Sequence, residues 1–441
     1  MKNSTKAVLA TKDILLSEVI FDEKLYPRKQ HCPALVQQYA DVIDEIEERG
    51  NFMTVAEDMT LLDGRHRHLA YLKRNDGKDV NVRVFVYQVK SEAEKFATAV
   101  KLNSSHGKQL TLEDKRRSVL TLFTEHKFPI EQIAKLVSVR KATALDWTKA
   151  IREEEEHQLN ETIFDLWLAC YTAVEISQRV GIAEQTVRDK IKALSTGKFH
   201  GTKPWKLSEF SDFDEEDLLR PIYNVWRYGK NSGEISHFGN SDPRILDRLL
   251  YLYTKPFDTV VDVFGGGGST LDVCKNRLRR YWISDRKPII EREHQIRKLD
   301  VTQELPPLNK RWSEVSLTFL DPPYWKQAEG KYSDDQEDLA NMSLEDFNKT
   351  LSGVVNGIAK KQSKGFIAML MQPTQWNAPD KEYTDHVIDM VRLADAKRLK
   401  LVNRISCPYS SQQCKPQMVE YAKENKMLLV LSRELIVWKI V

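Results

Sequence analysis

A chain of 441 residues with 41% hydrophobic and 30% charged residues has room for two or three domains with cores of their own. Its net charge of +3 excludes a global basic field, so contact with nucleic acid has to come from local patches. No apolar run is long enough to span a bilayer, the opening MKNSTKAVLATKD lacks a signal-peptide core, and the five cysteines form no Cys-x-x-Cys pair, which points to a reducing cytoplasm without a disulfide framework or zinc site.

Residues 14–106 mix strands and helices. Ala34–Glu48 is apolar at helical spacing and reads as a helix, and Val80–Tyr87 alternates apolar and polar residues and reads as a strand. Between them, Leu61-Leu-Asp-Gly-Arg-His-Arg-His-Leu-Ala70 reads as a strand, a glycine turn and a helix. Gly64, Arg65, His66 and Arg67 at that helix start are candidates to hold phosphate. The histidines His66, His68 and His106 have no carboxylate at ligand spacing, so no metal is expected. The segment resembles the Gly-x-x-Arg box of the ParB/sulfiredoxin-like superfamily, and Tyr26-Pro-Arg28 resembles another of its elements. That resemblance implies an N-terminal α+β domain over about residues 1–107 that binds a nucleotide such as CTP or ATP. The later Glu-Asn-x-x-Arg box is here Leu102-Asn-Ser-Ser-His106, without its acid and arginine, so plain contact with the DNA backbone stays open beside nucleotide binding.

From Thr111 to Leu194 the pattern is helical and repeats at an offset of 43 residues. Ile133-Ala-Lys-Leu-Val137 matches Ile176-Ser-Gln-Arg-Val180, and each copy reads as helix, tight turn at Ser138 or Gly181, and second helix. This is the helix-turn-helix pattern, whose second helix enters the major groove. The expected region is an all-α tandem at 108–200. Its candidate contacts with double-stranded DNA are Arg140, Lys141 and Thr143 in the first copy and Gln185, Thr186, Arg188 and Lys190 in the second. Residues 201–235, with the acidic run Asp212–Asp217, read as a linker.

Beyond His237, β-rich runs at Thr259–Phe264, Tyr281–Ser284, Ser316–Leu320, Gly365–Met371 and Glu434–Val441 alternate with helical stretches, the mark of an α/β sheet. The first runs into Asp262-Val-Phe264 and the four glycines Gly265–Gly268, then into a helix. Asp285 follows the next strand, where an acid can bind a ribose hydroxyl pair. Asp262 at the loop would repel a phosphate but suits a cationic amino acid group such as S-adenosylmethionine carries. The strand Leu317–Leu320 then ends in Asp321-Pro322-Pro323-Tyr324. Two prolines stop the strand in a stiff loop. The exocyclic amine of a base is a poor nucleophile because its lone pair is delocalised. A carboxylate (Asp321) and a carbonyl (Pro322) accepting its two N–H bonds free that lone pair, and Tyr324 can stack on a base taken out of the duplex.

On these residues, about 236–441 resembles the amino-directed DNA methyltransferases. Asp262 and Phe264 to Gly267 match their Asp-x-Phe-x-Gly-x-Gly loop, and Asp321–Tyr324 matches their Asp-Pro-Pro-Tyr motif. The resemblance implies a Rossmann-like class I methyltransferase sheet with S-adenosylmethionine bound by Asp262, Phe264, Gly265, Gly266, Gly267 and Asp285. It adds Asp300 near the adenine and the segment containing Asn240 and Ser241 near the methionine part. A terminal antiparallel hairpin is expected within Leu428–Val441, turning at Ser432–Glu434. Because the motif opens on aspartate, the family tendency favours adenine N6 over cytosine N4.

The expected protein thus has three modules. The middle region would choose DNA and the last would modify a base, so deleting 108–200 should abolish site preference and spare cofactor binding. The reading also allows a homodimer and a paired restriction enzyme. Competing readings are an N4-cytosine enzyme, an RNA or protein methylase, and a non-catalytic ParB-like partition or regulatory protein. Cytosine ring-carbon methylation is set aside because the chain has no Pro-Cys dipeptide.

Overall fold

The computed structural model describes residues 8–89, 91–105, 110–196, 223–226, 241–292, 295–331, 334–408 and 414–441. The chain divides into two compact units, Met1–Gln158 and Leu159–Val441. No described helix is long and apolar enough to cross a membrane.

In the first unit, strands β1 (Val8–Leu15), β2 (Met53–Ala56), β3 (Leu61–Asp63) and β4 (Asn81–Tyr87) form a mixed sheet of order β1-β4-β2-β3. Its alternating residues Val82, Val84 and Val86 are buried against Leu16, Ile43, Met53, Val55 and Leu61. The single helix expected at 34–48 is two, α1 (Pro33–Asp41) and α2 (Ile43–Glu48), because Val42 leaves the helical backbone at φ −127° and ψ 26°. The helix α3 (Arg65–Arg74) follows β3 directly. Helices α4 (Glu92–Ser105), α5 (Leu112–Thr124), α6 (Ile130–Val137) and α7 (Lys141–Trp147) enclose a second small core around Val100, Leu122, Ile133 and Val137.

The long helix α8 (Lys149–Leu168) carries the boundary between the units. The segment read as one tandem is therefore divided: α6 and α7 belong to the first unit, whereas α9 (Ala173–Val180) and α10 (Glu184–Ser195) belong to the second. Both turns are nevertheless as the repeat predicts. Ser138 and Gly181 each take a left-handed backbone, at φ 53° and 73°. Thr172 caps α9 in a reciprocal pair with Glu175, and Ile163, Ile176 and Val187 close the small core between α8, α9 and α10.

The second unit is built on a seven-stranded sheet. Its strands are β5 (Thr259–Asp262), β6 (Arg280–Asp285), β7 (Arg297–Lys298), β8 (Val315–Leu320), β9 (Phe366–Met371), β10 (Leu399–Pro408) and β11 (Ser432–Ile440), in the order β10-β11-β9-β8-β5-β6-β7. All neighbours are parallel except β11, which runs against both β9 and β10. Helices α11 (Pro243–Tyr253) and α12 (Ser269–Asn276) cover the face carrying Val260 and Ile283. Helices α13 (Leu344–Lys361) and α14 (His386–Leu393) cover the face carrying Val261 and Met369. Burial on both faces explains why β5 and β8 carry apolar and β-branched residues on both faces without a polar alternation.

One expectation needs correction here. The terminal antiparallel pair exists, but it is no hairpin within 428–441. Ser432–Glu434, expected as the turn, lie inside β11 and pair with Ser406–Pro408 of β10, and helix α15 (Pro416–Glu424) makes the connection. The polar residues fall in a strand because they stand at its start, beside the pocket. Within residues 201–235, Val225 forms an isolated bridge with Ser406 of β10, Trp226 N–H bonds the Ser406 carbonyl at 2.8 Å, and Trp226 is buried. Gly197–Pro204, Asp212–Asp217, His106 and Asn240 lie outside the described residues.

At the amino-terminal edge of this sheet, arginines hold the end of α8. Arg280, opening β6, bonds the Trp167 carbonyl, Arg297 the Ala169 carbonyl, and Arg311, just ahead of β8, the Cys170 carbonyl. Trp167 also packs on Phe257 ahead of β5, and Lys275 pairs with Asp165. The second helix-turn-helix is thus fixed beneath the strands β5, β6 and β8.

Candidate active site

The opposite, carboxyl-terminal edge opens into a cavity of about 320 Å³. Three strand ends meet there: β5 at Asp262, β6 at Asp285, and β8 running into Asp321. Of the residues that the sequence singled out, Ser241, Asp262, Phe264, Gly265, Gly266, Asp285, Asp300, Asp321 and Pro323 line it. Pro322, Tyr324 and Gly267 do not, although the Tyr324 hydroxyl reaches Asp321.

The glycine loop is pressed onto β6. Gly265 N–H bonds the Ser284 carbonyl at 2.9 Å, and a Cβ on Gly265 would stand 2.5 Å from the Ile283 side chain. Gly268 starts α12 at φ 87°, a conformation that side chains rarely adopt. Asp285 accepts Gly266 N–H at 2.9 Å and Lys287 N–H at 2.8 Å, so it pins the loop from the neighbouring strand. Asp262 is fully enclosed, accepting the Thr270 hydroxyl at 2.6 Å and Phe264 N–H at 2.8 Å. Burial, opposed by those two bonds and reinforced by the charges of Asp321 and Asp285, pushes its carboxyl up to about 7. Asp300 accepts the Thr302 hydroxyl at 2.6 Å and pairs with Arg286 at 3.1 Å.

Asp321 is also raised, chiefly by desolvation; the Ser241 hydroxyl, the Arg433 charge and the Tyr324 hydroxyl oppose that rise. Ser241 Oγ–H donates to Oδ2 at 2.5 Å and Tyr324 Oη–H to Oδ1 at 3.0 Å. Trp325, the next residue, is buried in the core, its indole N–H bonded to the Met342 carbonyl. Sequence reasoning missed Arg433. It stands in a polar interruption of an apolar run, which reads equally well as a turn. The remaining wall includes Thr270, Leu299, Phe319, Glu337 and Asp338. Acids outnumber the cations Arg286, Lys287 and Lys331 around this cavity, a lining that favours a cationic ligand over a phosphate.

The Gly64 turn of the first unit looks alike but is filled from within. Gly64 starts α3 at φ 100°. Arg67 bonds the Asn51 and Phe52 carbonyls, both at 2.8 Å, and Asp63 at 2.9 Å. His66 accepts Cys32 N–H, and Arg65 lies over the Phe21 ring and bonds His68 at 2.7 Å. The resemblance elements do converge: Tyr26 Oη accepts Arg65 N–H and donates to Asn103, which in turn bonds the Leu62 carbonyl.

Of the helix-turn-helix candidates, Arg140, Lys141, Gln185, Thr186 and Arg188 are exposed, and Thr143 and Lys190 are half-buried. Lys141 pairs with Glu131, Arg188 with Glu184 and Gln185 with Asp189, while Lys190 bonds Asn160 at 2.6 Å. Among the described residues no group of His, Cys, Asp and Glu is arranged to hold a metal ion.

Compared with known families, residues 49–293 match the model of N6_N4_Mtase, described as DNA methylase, over more than half of the chain. The chain belongs to this DNA methylase family. The matched span contains the glycine loop and Asp285 of the methylase and ends before Asp321. Among solved structures, a SAM dependent methyltransferase from Archaeoglobus fulgidus is similar at 13% identity and a TM-score of 0.27, over 46% of this chain and 96% of that one. The chromosome-partitioning protein ParB from Caulobacter crescentus, complexed with CTP-gamma-S, is similar at 14% identity and a TM-score of 0.18, over 41% and 99%. No curated protein matches the sequence.

Proposed function

We propose that this DNA methylase transfers the methyl group of S-adenosylmethionine to an exocyclic amino group in double-stranded DNA, N6 of adenine, on a base rotated out of the stack. One observation carries the reading: Asp321, at the end of β8, faces the same cavity as Asp262, Gly265 and Gly266. The acidic lining fits a cofactor bearing an ammonium and a sulfonium. Asp262, Phe264, Gly265, Gly266, Asp285 and Asp300 would hold it, and when bound it supplies an electrophilic methyl group. Ser241 reaches Asp321, so the segment before α11 belongs to the amine side of the pocket.

Asp321 and the Pro322 carbonyl accept the two N–H bonds of the target amine. The nitrogen then moves towards tetrahedral geometry and its lone pair becomes available for in-line attack. Tyr324 supports the base by stacking. Arg140, Lys141 and Thr143, with Gln185, Thr186, Arg188 and Lys190, supply DNA contacts; Lys141 and Lys190 must first leave Glu131 and Asn160. The Gly64 turn has no part in the transfer, since its side chains are bonded within their own unit.

The test is labelled methyl transfer to duplex DNA with nucleoside mass spectrometry, comparing the wild type with Asp321→Asn. N6-methyladenine from the wild type alone supports the reading. N4-methylcytosine would overturn the choice of base, label in RNA or protein the choice of substrate, and equal transfer by the variant the role of Asp321.

A further inference from the structure

Arg433 lies at the start of β11, more than a hundred residues beyond Asp321, and it is buried. Its Nη1–H donates to Ser241 Oγ at 3.2 Å, and Ser241 Oγ–H donates to Asp321 Oδ2 at 2.5 Å. Three elements far apart in sequence therefore meet in one chain of bonds: the start of β11, the residue before the α11 cap, and the loop after β8. A guanidinium can only donate, and a serine hydroxyl has a single proton. With Arg433 donating to its oxygen, Ser241 has to direct that proton at Asp321.

We propose that Arg433 is a positioning residue for methyl transfer: through Ser241 it fixes Asp321 Oδ2 and holds the carboxylate as an acceptor, leaving Oδ1 to take the amine. This inference rests on the reading of Asp321 given above. Oδ1 is held at rest by the Tyr324 hydroxyl. As the tyrosine ring turns to stack on the incoming base, that bond is exchanged for one from the amino group, while the Arg433–Ser241 arm keeps the carboxylate plane still. The arm answers a physical need. Asp321 stands in a desolvated pocket with Asp262 near by, and both conditions favour a neutral acid, which would be a poor acceptor. The groups facing it are Asp262 from the end of β5, Tyr324 from its own loop, Arg433 from β11 and Cys407 from β10; the last is a thiol pushed up to about 12 by burial and is therefore uncharged.

The experiment uses the full chain and follows the dependence of kcat on pH for Arg433→Gln, Arg433→Lys and Ser241→Ala, with S-adenosylmethionine affinity measured by calorimetry. Loss of a charge-assisted bond of this kind predicts a fall in kcat on the order of 10- to 100-fold for Arg433→Gln. Its acidic limb should move to higher pH while cofactor affinity stays within about twofold, as expected for a group that is not a cofactor contact. Arg433→Lys should restore most of the rate, and Ser241→Ala should lower kcat and move the limb to higher pH at least as far as Arg433→Gln does, since the Ser241 bond opposes the rise at Asp321 more than the Arg433 charge does. An unmoved acidic limb in Arg433→Gln, even with a slower and less stable enzyme, would reduce Arg433 to a core-filling residue and overturn the proposal. If Arg433→Gln does not fold, the limb of Ser241→Ala decides, and its remaining at the wild-type position would overturn the proposal equally. Absence of transfer to DNA by the wild type would instead strike the proposed function.

Discussion

Two turns in this chain share one local design and serve different ends. Each runs strand, acid, glycine, helix: Asp63 and Gly64 into α3, Asp262 and the four glycines into α12. Each helix starts on a left-handed glycine. In the first unit, Arg67 reaches back to Asp63 and two carbonyls, so the turn stabilises its own fold. In the second, small residues follow the glycines, only the short Thr270 hydroxyl reaches back to Asp262, and the acid still lines a cavity. Glycine and an acid give the backbone its shape; the side chains of the following helical turn decide whether a ligand can enter.

The largest effect expected from this contrast is on turnover. Asp321→Ala should lower methyl transfer by about 10³-fold, the size seen when a group that acts on the transition state is removed. Arg67→Ala should leave turnover within about twofold and cost about 2 kcal/mol of stability through its lost hydrogen bonds, read by denaturant unfolding. Comparable losses of turnover in both would break the contrast.

Next come the glycines. Gly64→Ala and Gly268→Ala each place a Cβ on a strained backbone, close to Arg67 and Arg292, and should cost about 1–3 kcal/mol. Only Gly268→Ala should also weaken S-adenosylmethionine binding, which calorimetry can check. Equal affinities would mean that the glycine loop does not cradle the cofactor.

The smallest effect is also the sharpest, because its sign differs between the two turns. His68, beside the first, is held at about 4 by burial and then by the Arg65 charge. Its neutral ring contributes stability that is complete above the unfolded value near 6.5 and is lost as pH falls towards 4. Asp262 is pushed up to about 7. Without cofactor, its pocket takes up a proton between pH 7 and 4 that the unfolded chain does not, so acid stabilises it. The unfolding midpoint of the wild type relative to His68→Gln should therefore fall with acid, and relative to Asp262→Asn it should rise. Slopes of the same sign would show that one of the two environments is misread.

Much of the second unit is legible in sequence because buried parallel strands carry apolar and β-branched residues without a polar alternation. Thr259–Asp262 and Val315–Leu320 stand out for that reason, and each leads directly into residues that line the pocket. The edge strand Leu399–Pro408 escapes notice because five consecutive side chains, Lys400 to Arg404, are exposed and a bulge between Leu401 and Asn403 breaks its alternation. Arg433 is invisible for a different reason: its partner Ser241 lies 192 residues away, and no local pattern announces a bond across that separation. The division of the tandem repeat is equally hidden. Repeated sequence predicts repeated helices, and it delivers Ser138 and Gly181 in matching turns, but the surface each copy settles on is decided by side chains elsewhere, here Phe257, Arg280, Arg297 and Arg311.

The arginine clasp on α8 sets where this enzyme can be shortened. Removing residues 108–200 would take away a piece of the second unit along with both helix-turn-helix segments, baring Arg280, Arg297, Arg311 and the ring of Phe257. A fragment intended to keep the fold intact has to start no later than Leu159, and it will carry the second helix-turn-helix with it. Testing whether the proposed DNA contacts can be separated from methyl transfer therefore calls for substitutions on the exposed side of α10 and not for the scissors.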